Sequence, residues 1–274
     1  MTKYNKTIAG LICGFSLCFA AVSQANTDAE QKGYAIASVV DLRDQGFTDS
    51  RAMLTMELYS KSGAKTTRKL DISVLENKVD GDKSLIKFTF PADINGTALL
   101  THPAKSASDE QWLYLPEVRR VKRIGSRNKA GAFVGSEFSF EDMTNKDLHD
   151  YSYNYLFSRP CEQIEASAVE FAGQQCDVIE RFPVDKHSGY SKQELWIDNQ
   201  DSKIIQIKYF DRKKSLLKVF SATGFKLYQD KYWRPDLVEM KNVQTGKATR
   251  LSYKNILFAS GLSEQDFHRS GLGD

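Results

Sequence analysis

After Gly46 the sequence alternates apolar and polar residues with a period of two, and no other feature constrains the fold as strongly. Leu54, Met56 and Leu58 alternate with Thr55 and Glu57. Leu70, Ile72 and Val74 alternate with Lys69, Asp71 and Ser73, and Ile86, Phe88 and Phe90 with Lys87 and Thr89. Such segments are strands that bury one face and wet the other, which is the habit of antiparallel sheets. Turn residues separate them at Ser62-Gly63, Asn77, Asp80-Gly81, Pro91 and Asn95-Gly96. Asn95-Gly96-Thr97 also fits a glycosylation sequon, but it reads better as a turn. Trp112 to Leu115 is a further short strand, closed by Pro116. Tyr151, Tyr153, Tyr155 and Phe157 fall on one strand face. Five more candidates follow at Glu194–Asp198, Ile204–Phe210, Leu216–Phe220, Leu237–Val243 and Thr249–Phe258. Ten or so strands without a Pro- or Ser-rich linker predict one domain, a strongly curved antiparallel sheet or open barrel.

Three stretches depart from the alternation. Thr27-Asp28-Ala29-Glu30 fits a capping box, and Ile36, Val39 and Val40 form an apolar stripe at helical spacing, so a packed helix is expected before Gly46. Glu117 to Asp150 is irregular and reads as a loop with a short helix around Ser139 to Leu148. A short helical pattern, Ser263 to His268, closes the chain.

The first 25 residues read as a secretion signal. Lys3 and Lys6 precede an apolar stretch from Ile8 to Val22, and Ser23-Gln24-Ala25 offers small residues for cleavage. The apolar stretch is about 15 residues, short for a membrane-crossing helix, which needs roughly 20. Cys13 and Cys18 lack the small residue that precedes a lipidated cysteine. Removing 25 residues from the 274 leaves 249, and losing two lysines lowers the formal charge from +3 to +1. That near-neutral balance gives no case for nucleic-acid binding. Of the four cysteines only Cys161 and Cys176 remain. In an oxidising compartment such a pair reads as a disulfide rather than a metal site, with two reduced thiols as the alternative. A hairpin turning at Ala172-Gly173, between Ile164–Val169 and Val178–Phe182, would bring them together.

Catalytic motifs are missing: there is no Gly-x-Ser-x-Gly elbow, Walker loop or His-Glu-x-x-His. His102, His149, His187 and His268 are scattered. Two features invite a functional reading. Arg119, Arg120, Lys122 and Arg123 crowd together, with Arg127 and Lys129 close behind. They read either as a patch for anionic headgroups or an acidic partner, or as a solvated strand with Val118, Val121 and Ile124 turned inward. Aromatic residues make up 11% of the chain, 16 Phe and 12 Tyr among them. They would line an apolar cavity or fill an ordinary β core.

Trp112-Leu113-Tyr114-Leu115-Pro116, then Arg119-Arg120-Val121-Lys122-Arg123-Ile124, then Phe133-Val134-Gly135-Ser136-Glu137-Phe138-Ser139-Phe140-Glu141-Asp142-Met143 resemble the signature of the outer-membrane lipoprotein-sorting protein family. That family is LolA-like and is associated with RND/MMPL-type exporters. Weaker matches run from Phe90-Pro91 through Tyr190-Ser191-Lys192, Trp196-Ile197-Asp198 and Trp233-Arg234-Pro235 to Phe267, so the resemblance covers roughly residues 47–270. Glu137 stands where Asp is usual and Phe140 where Tyr is common. The resemblance implies a mainly β, LolA-like unclosed antiparallel β-barrel, a strongly curved sheet with a few helices on its concave side and an apolar cavity for acyl chains. It implies no reaction and no cofactor. With the signal, it implies a periplasmic carrier of a Gram-negative bacterium working with an inner-membrane RND/MMPL-type transporter; the alternatives are a non-carrier accessory subunit docking on an exporter or envelope complex, and an enzyme. Trp112, Tyr114, Phe133, Phe138 and Phe140 are the expected lipid-binding residues, because simple alternation explains the signature block least.

Overall fold

The computed structural model describes residues 17–79, 81–104, 109–144, 147–164 and 169–273, with side chains from residue 27 onward. One helix, α1 (Leu17–Asp44), precedes thirteen strands. These are β1 (Asp49–Tyr59), β2 (Lys65–Leu75), β3 (Lys83–Phe90), β4 (Ala98–His102), β5 (Glu110–Leu115), β6 (Arg120–Ile124), β7 (Tyr151–Pro160), β8 (Gln175–Pro183), β9 (Tyr190–Asp198), β10 (Ile204–Asp211), β11 (Leu216–Tyr228), β12 (Tyr232–Asn242) and β13 (Ala248–Phe258). No helix among the described residues is long and apolar enough to cross a membrane.

All thirteen strands form a single antiparallel sheet in the order β6-β5-β4-β3-β2-β1-β13-β12-β11-β10-β9-β8-β7. It is two meanders joined back to back: β1 pairs with β13 in the middle, Leu54 opposite Tyr253 and Met56 opposite Leu251. The free edges, β6 and β7, are therefore consecutive in sequence, and the sheet is a mainly β, LolA-like curved sheet that stays unclosed. The chain between the two edges turns inward and contributes Phe133 and Phe138 to the principal core, with Leu54, Met56, Leu70, Ile86, Phe88, Tyr153, Ile197, Tyr209 and Met240.

The two edges are protected differently. Gly33 of α1 packs so closely on β7 that an added Cβ would lie 2.8 Å from the Asn154 carbonyl carbon. Tyr34 meets Tyr153 edge-on at 5.9 Å, and the Lys32 ammonium sits over the Tyr155 ring at 3.5 Å. Among the described residues no helix lies along β6, and Arg120, Lys122 and Arg123 are all exposed on it. Charged side chains on a bare edge oppose strand-to-strand aggregation.

Two smaller clusters lie on the convex face. Cys161, Ile164, Phe171, Cys176, Val178, Trp196 and Ile205 form one. The Cys161–Cys176 disulfide is present at a separation of 15 residues, and closing a loop of that length stabilises the fold by about 3 kcal/mol. The carboxyl-terminal turns Glu264–Phe267 and Arg269–Gly273 cover the other, where Phe267 and Leu272 pack on Ala98, Leu100 and Trp112.

The structure corrects several expectations. α1 runs unbroken from Leu17, so Thr27 is mid-helix and not a cap. Its inner face is Gly33 and Ala37, flanked by Ile36 and Val40, while Val39 is exposed. β6 replaces part of the expected middle loop, and the short helix around Ser139 to Leu148 is instead two 3-10 turns, Glu141–Met143 and Leu148–Asp150, with residues 145 and 146 outside the described residues. The Cys hairpin pairs β7 with β8, not Ile164–Val169, of which residues 165–168 lie outside the described residues. A bulge between Tyr155 and Phe157 sends Phe157 to the convex face against Trp196, away from the other three rings. Val118 is exposed, Val121 packs beside Tyr114 in the cluster under the carboxyl-terminal turns, and only Ile124 turns in, opposite Gln111.

Candidate functional site: the concave face and its plug

The segment from Lys129 to Met143 folds into a tight hairpin that plugs the concave side. Phe133 donates its N–H to the Phe138 carbonyl at 2.7 Å, Ala132 bridges Ser139, and Glu141 donates to the Lys129 carbonyl at 2.8 Å. The tip requires left-handed backbone, with φ of 47° at Val134 and 74° at Gly135. A β-branched residue there costs of order 1–3 kcal/mol and persists only where the surroundings over-determine it. Arg68 of β2 does so by donating to the Val134 carbonyl. Phe133 packs against two further rings, Phe88 tilted and Phe140 edge-on, each at 5.7 Å.

Polar bonds fasten the plug to both halves of the sheet. Gln111 of β5 donates to the Phe140 carbonyl at 3.0 Å. On the other side Glu137 donates its N–H to Thr249 of β13 at 3.0 Å and accepts from Asn242 of β12 at 2.8 Å. The Asp142 carboxylate pairs with the Lys218 ammonium of β11 at 2.6 Å, with both side chains buried. It also accepts from the Tyr190 hydroxyl at 2.8 Å and from the Ser139 N–H at 2.7 Å. Burial pushes this carboxyl up, but Lys218 and Ser139 outweigh burial and hold it below the usual carboxylate range. Burial, reinforced by Asp142, drives the Tyr190 and Tyr209 phenols well above their ordinary value. Glu141 accepts from the Ser188 hydroxyl and from the Gly189 N–H.

The Asp142 pair belongs to a longer feature. Tyr153, Arg181, Gln193, Tyr209, Lys218 and Asn242 are successive cross-strand partners from β7 to β12. They make a polar and aromatic ladder across the concave face of the carboxyl-terminal half. The amino-terminal half turns Leu54, Met56, Leu70, Ile86, Phe88 and Leu99 to the same interior.

The five expected lipid-binding residues separate. Phe133, Phe138 and Phe140 lie on the plug. Trp112 and Tyr114 face the opposite side, where Trp112 is packed by His102 at 5.1 Å and by Phe267, and Tyr114 by Gly273. The five therefore do not line one cavity. The cations Arg119, Arg120, Lys122 and Arg123 stay together on the bare edge, and Arg123 forms an exposed ion pair with Glu110 at 2.6 Å. Of the histidines, His102 is held by the Phe267 carbonyl at 2.8 Å and His268 by Ser270 at 2.6 Å, both structural contacts.

Three of the clefts on the described surface lie near these elements. One of about 280 Å³ at the end of α1 is rich in carboxylates, several of which are occupied with capping backbone, as Glu76 is with Gly46 and Thr48. One of about 600 Å³ lies beside β6, between Tyr114, Arg119, Val121 and Arg269. The third, about 660 Å³, lies between α1 and β7 and is lined by Tyr34, Tyr151, Tyr153 and Phe182 with Glu30 and Gln31. This third groove reaches two rings of the principal core, Tyr151 and Tyr153. No group of three or more metal-binding side chains occurs among the described residues.

A family profile described as an uncharacterized protein matches residues 80–274. No curated protein matches the sequence. Among solved structures, a domain from Vibrio parahaemolyticus assigned by name to outer membrane lipoprotein sorting is 40% identical, with a TM-score of 0.84 over 89% of this chain and 100% of that one. A DUF1329 family protein from Desulfovibrio piger is 27% identical, with a TM-score of 0.81 over 89% of this chain and 99% of that one. A LolA superfamily protein from Nitrosomonas europaea, at 16% identity and a TM-score of 0.68 over 87% of this chain and 98% of that one, shares the fold. With a relative this similar aligned along its entire length, and the signature block forming the plug that holds the two halves of the sheet, the chain belongs to the outer membrane lipoprotein-sorting protein family, of LolA-like fold.

Proposed function

We propose that the protein is a periplasmic carrier that holds a lipid, or the acyl group of a lipoprotein, against the concave face of its open sheet and works with an RND/MMPL-type inner-membrane exporter. The observation that carries this reading is the unclosed sheet, shared nearly end to end with a domain named for lipoprotein sorting. The signal-like first 25 residues and the disulfide support export to an oxidising compartment. An acyl chain crossing water needs cover, at about 0.8 kcal/mol per CH₂.

Phe133 and Phe138 already occupy the interior, so loading requires movement. Withdrawing the plug would break a buried ion pair and several buried hydrogen bonds. Shifting α1 breaks no buried ion pair: it lies on β7 through Gly33 and Ala37 with half-buried Ile36 and Val40 beside them, and its own ion pairs, Arg43–Asp201 and Asp44–Arg234, each have an exposed member. In this reading α1 is the lid, the groove between α1 and β7 is the entrance, and Phe133, Phe138 and Phe140 are the floor.

The exposed cations of β6 favour a second reading, a non-carrier accessory that docks on an exporter or envelope complex through Arg119, Arg120, Lys122 and Arg123. Mass spectrometry of lipid extracted from untagged periplasmic protein separates the two. A carrier brings down one lipid class in near-stoichiometric amount; an accessory brings down none.

A further inference from the structure

β6 ends the sheet with one side unpaired, and no backbone bond runs from that side to any described residue. An edge of this kind offers a row of N–H and C=O groups to an extended chain. The opposite edge, β7, has α1 packed against it at Gly33.

The side chains of β6 sort by face. Arg120 and Lys122 stand opposite Leu115 and Leu113, on the same face as Ile124. Val121 and Arg123 stand opposite Tyr114 and Trp112, on the outer face. There the cleft of about 600 Å³ opens between Tyr114, Val121, Arg119 and Arg269. Arg119, Arg120 and Lys122 are exposed and form no ion pair with a described residue, whereas Arg123 has Glu110 at 2.6 Å. Even with exposed Glu117 beside it, the edge is strongly positive.

Charge and geometry together select the occupant. A second copy would set its own Arg120 and Lys122 against this basic edge, and like charges facing across strands repel. An anionic membrane surface would answer the charge but not the backbone row. An extended acidic chain answers the charge, the backbone row and the cleft.

We propose that β6 is a strand-addition site for a partner protein. An extended segment of the partner pairs with β6 and lengthens the sheet, with Asp or Glu opposite Arg120 and Lys122 and an apolar side chain opposite Val121, seated beside Tyr114. The proposal deepens the docking reading of this edge and makes no use of the concave face.

The test is fluorescence polarisation of capped, labelled peptides that alternate Asp or Glu with Val, titrated with the exported protein. The alternating peptide is expected to bind about tenfold or more tightly than a scrambled isomer with its acids in one block, because only alternation puts every charge on one face. N-methylating alternate residues, first along one edge of the peptide and then along the other, should weaken one form about tenfold or more and spare the other, since only one edge donates to β6. Amide exchange should slow within Arg120–Ile124. Arg120→Glu with Lys122→Glu should abolish binding of the acidic peptide and admit its Lys-Val counterpart. If that variant fails to fold, N-methylation and exchange on the wild type still decide.

Equal binding of the scrambled isomer, or of both N-methylated forms, reduces the edge to a charge patch, so that docking stands and strand addition falls. Capture of phosphatidylglycerol vesicles through β6, with no binding of the peptide, gives the edge to a membrane surface and overturns the proposal. Binding of neither overturns the proposal together with the docking reading, and leaves the carrier reading to its own lipid analysis.

Discussion

The meander β1–β6 and the meander β7–β13 face the same interior with different chemistry. The first presents mostly aliphatic side chains and Phe88, with Arg68 and Gln111 reaching the plug, and its outer strand is bare and basic. The second presents a ladder of tyrosines, amides and two buried cations, and its outer strand lies under α1. A mostly aliphatic wall gives apolar contact with little orientation beyond those two donors. A wall with fixed donors and rings can hold a plug in one register and distinguish one end of a ligand from the other. The comparison therefore assigns bulk burial to the amino-terminal half and positioning to the carboxyl-terminal half.

The largest expected effect breaks the plug from the positioning half. Asp142→Leu strands a buried ammonium on Lys218 and should cost about 3–5 kcal/mol in urea unfolding. The double variant Asp142→Leu with Lys218→Met should recover most of the loss, because replacing both members of a buried pair is close to neutral. A double variant as unstable as the single one would mean the ion pair itself, not its completeness, holds the plug.

Next comes a titration that only the second half should show. Tyr153, Tyr190 and Tyr209 all have pKa values raised by burial. A raised value means the neutral phenol is favoured in the fold. That stability is fully present below the unfolded tyrosine value of about 10 and is lost as pH climbs toward the folded values. The protein should thus lose stability from about pH 10 upward, with tyrosinate absorbance appearing together with unfolding. Asp142 acts at the other end: its lowered value stabilises above about pH 4 and fails as pH falls through the folded value. Full tyrosinate absorbance at pH 11 in still-folded protein would show that these phenols are not shielded.

The smallest effect on stability belongs to the bare edge. Reversing Arg119, Arg120, Lys122 and Arg123 to Glu should change folding stability little for exposed charges, about 0.5 kcal/mol per site or less. Binding to anionic vesicles or to an acidic partner should fall, and the difference should shrink in high salt, where screening acts beyond about 8 Å at physiological strength. Unchanged binding at low salt would leave these cations only the task of keeping the edge soluble.

Much of this was legible in the residues, and the misses have physical causes. Alternation located most strands of both meanders because their outer faces are wet. β4 escaped because Ala98 and Leu100 are buried beneath the carboxyl-terminal tail while Leu99 is buried inside, so no polar alternation marks it. The signature block was recognised, but its separation into an inner group and an outer group was not. Trp112 and Tyr114 alternate with Gln111 and Leu113, and only the tail decides which pair faces out. Arg181 went unremarked because an isolated arginine in a strand resembles a wet-face residue. The available signal was its spacing of two from Ile179, which is fully buried on the concave side.

The measurement closest to the central claim is equilibrium binding of a fluorescent fatty-acyl probe to the wild-type protein, with natural lipid as competitor. The account predicts saturation and full displacement. It also predicts that a disulfide tying α1 to β7, engineered between Ala37 and a facing residue, slows or abolishes uptake until it is reduced. Non-saturable adsorption that competitor lipid does not reverse would contradict the carrier reading and leave an ordinary filled core, with the basic edge as the remaining candidate for function.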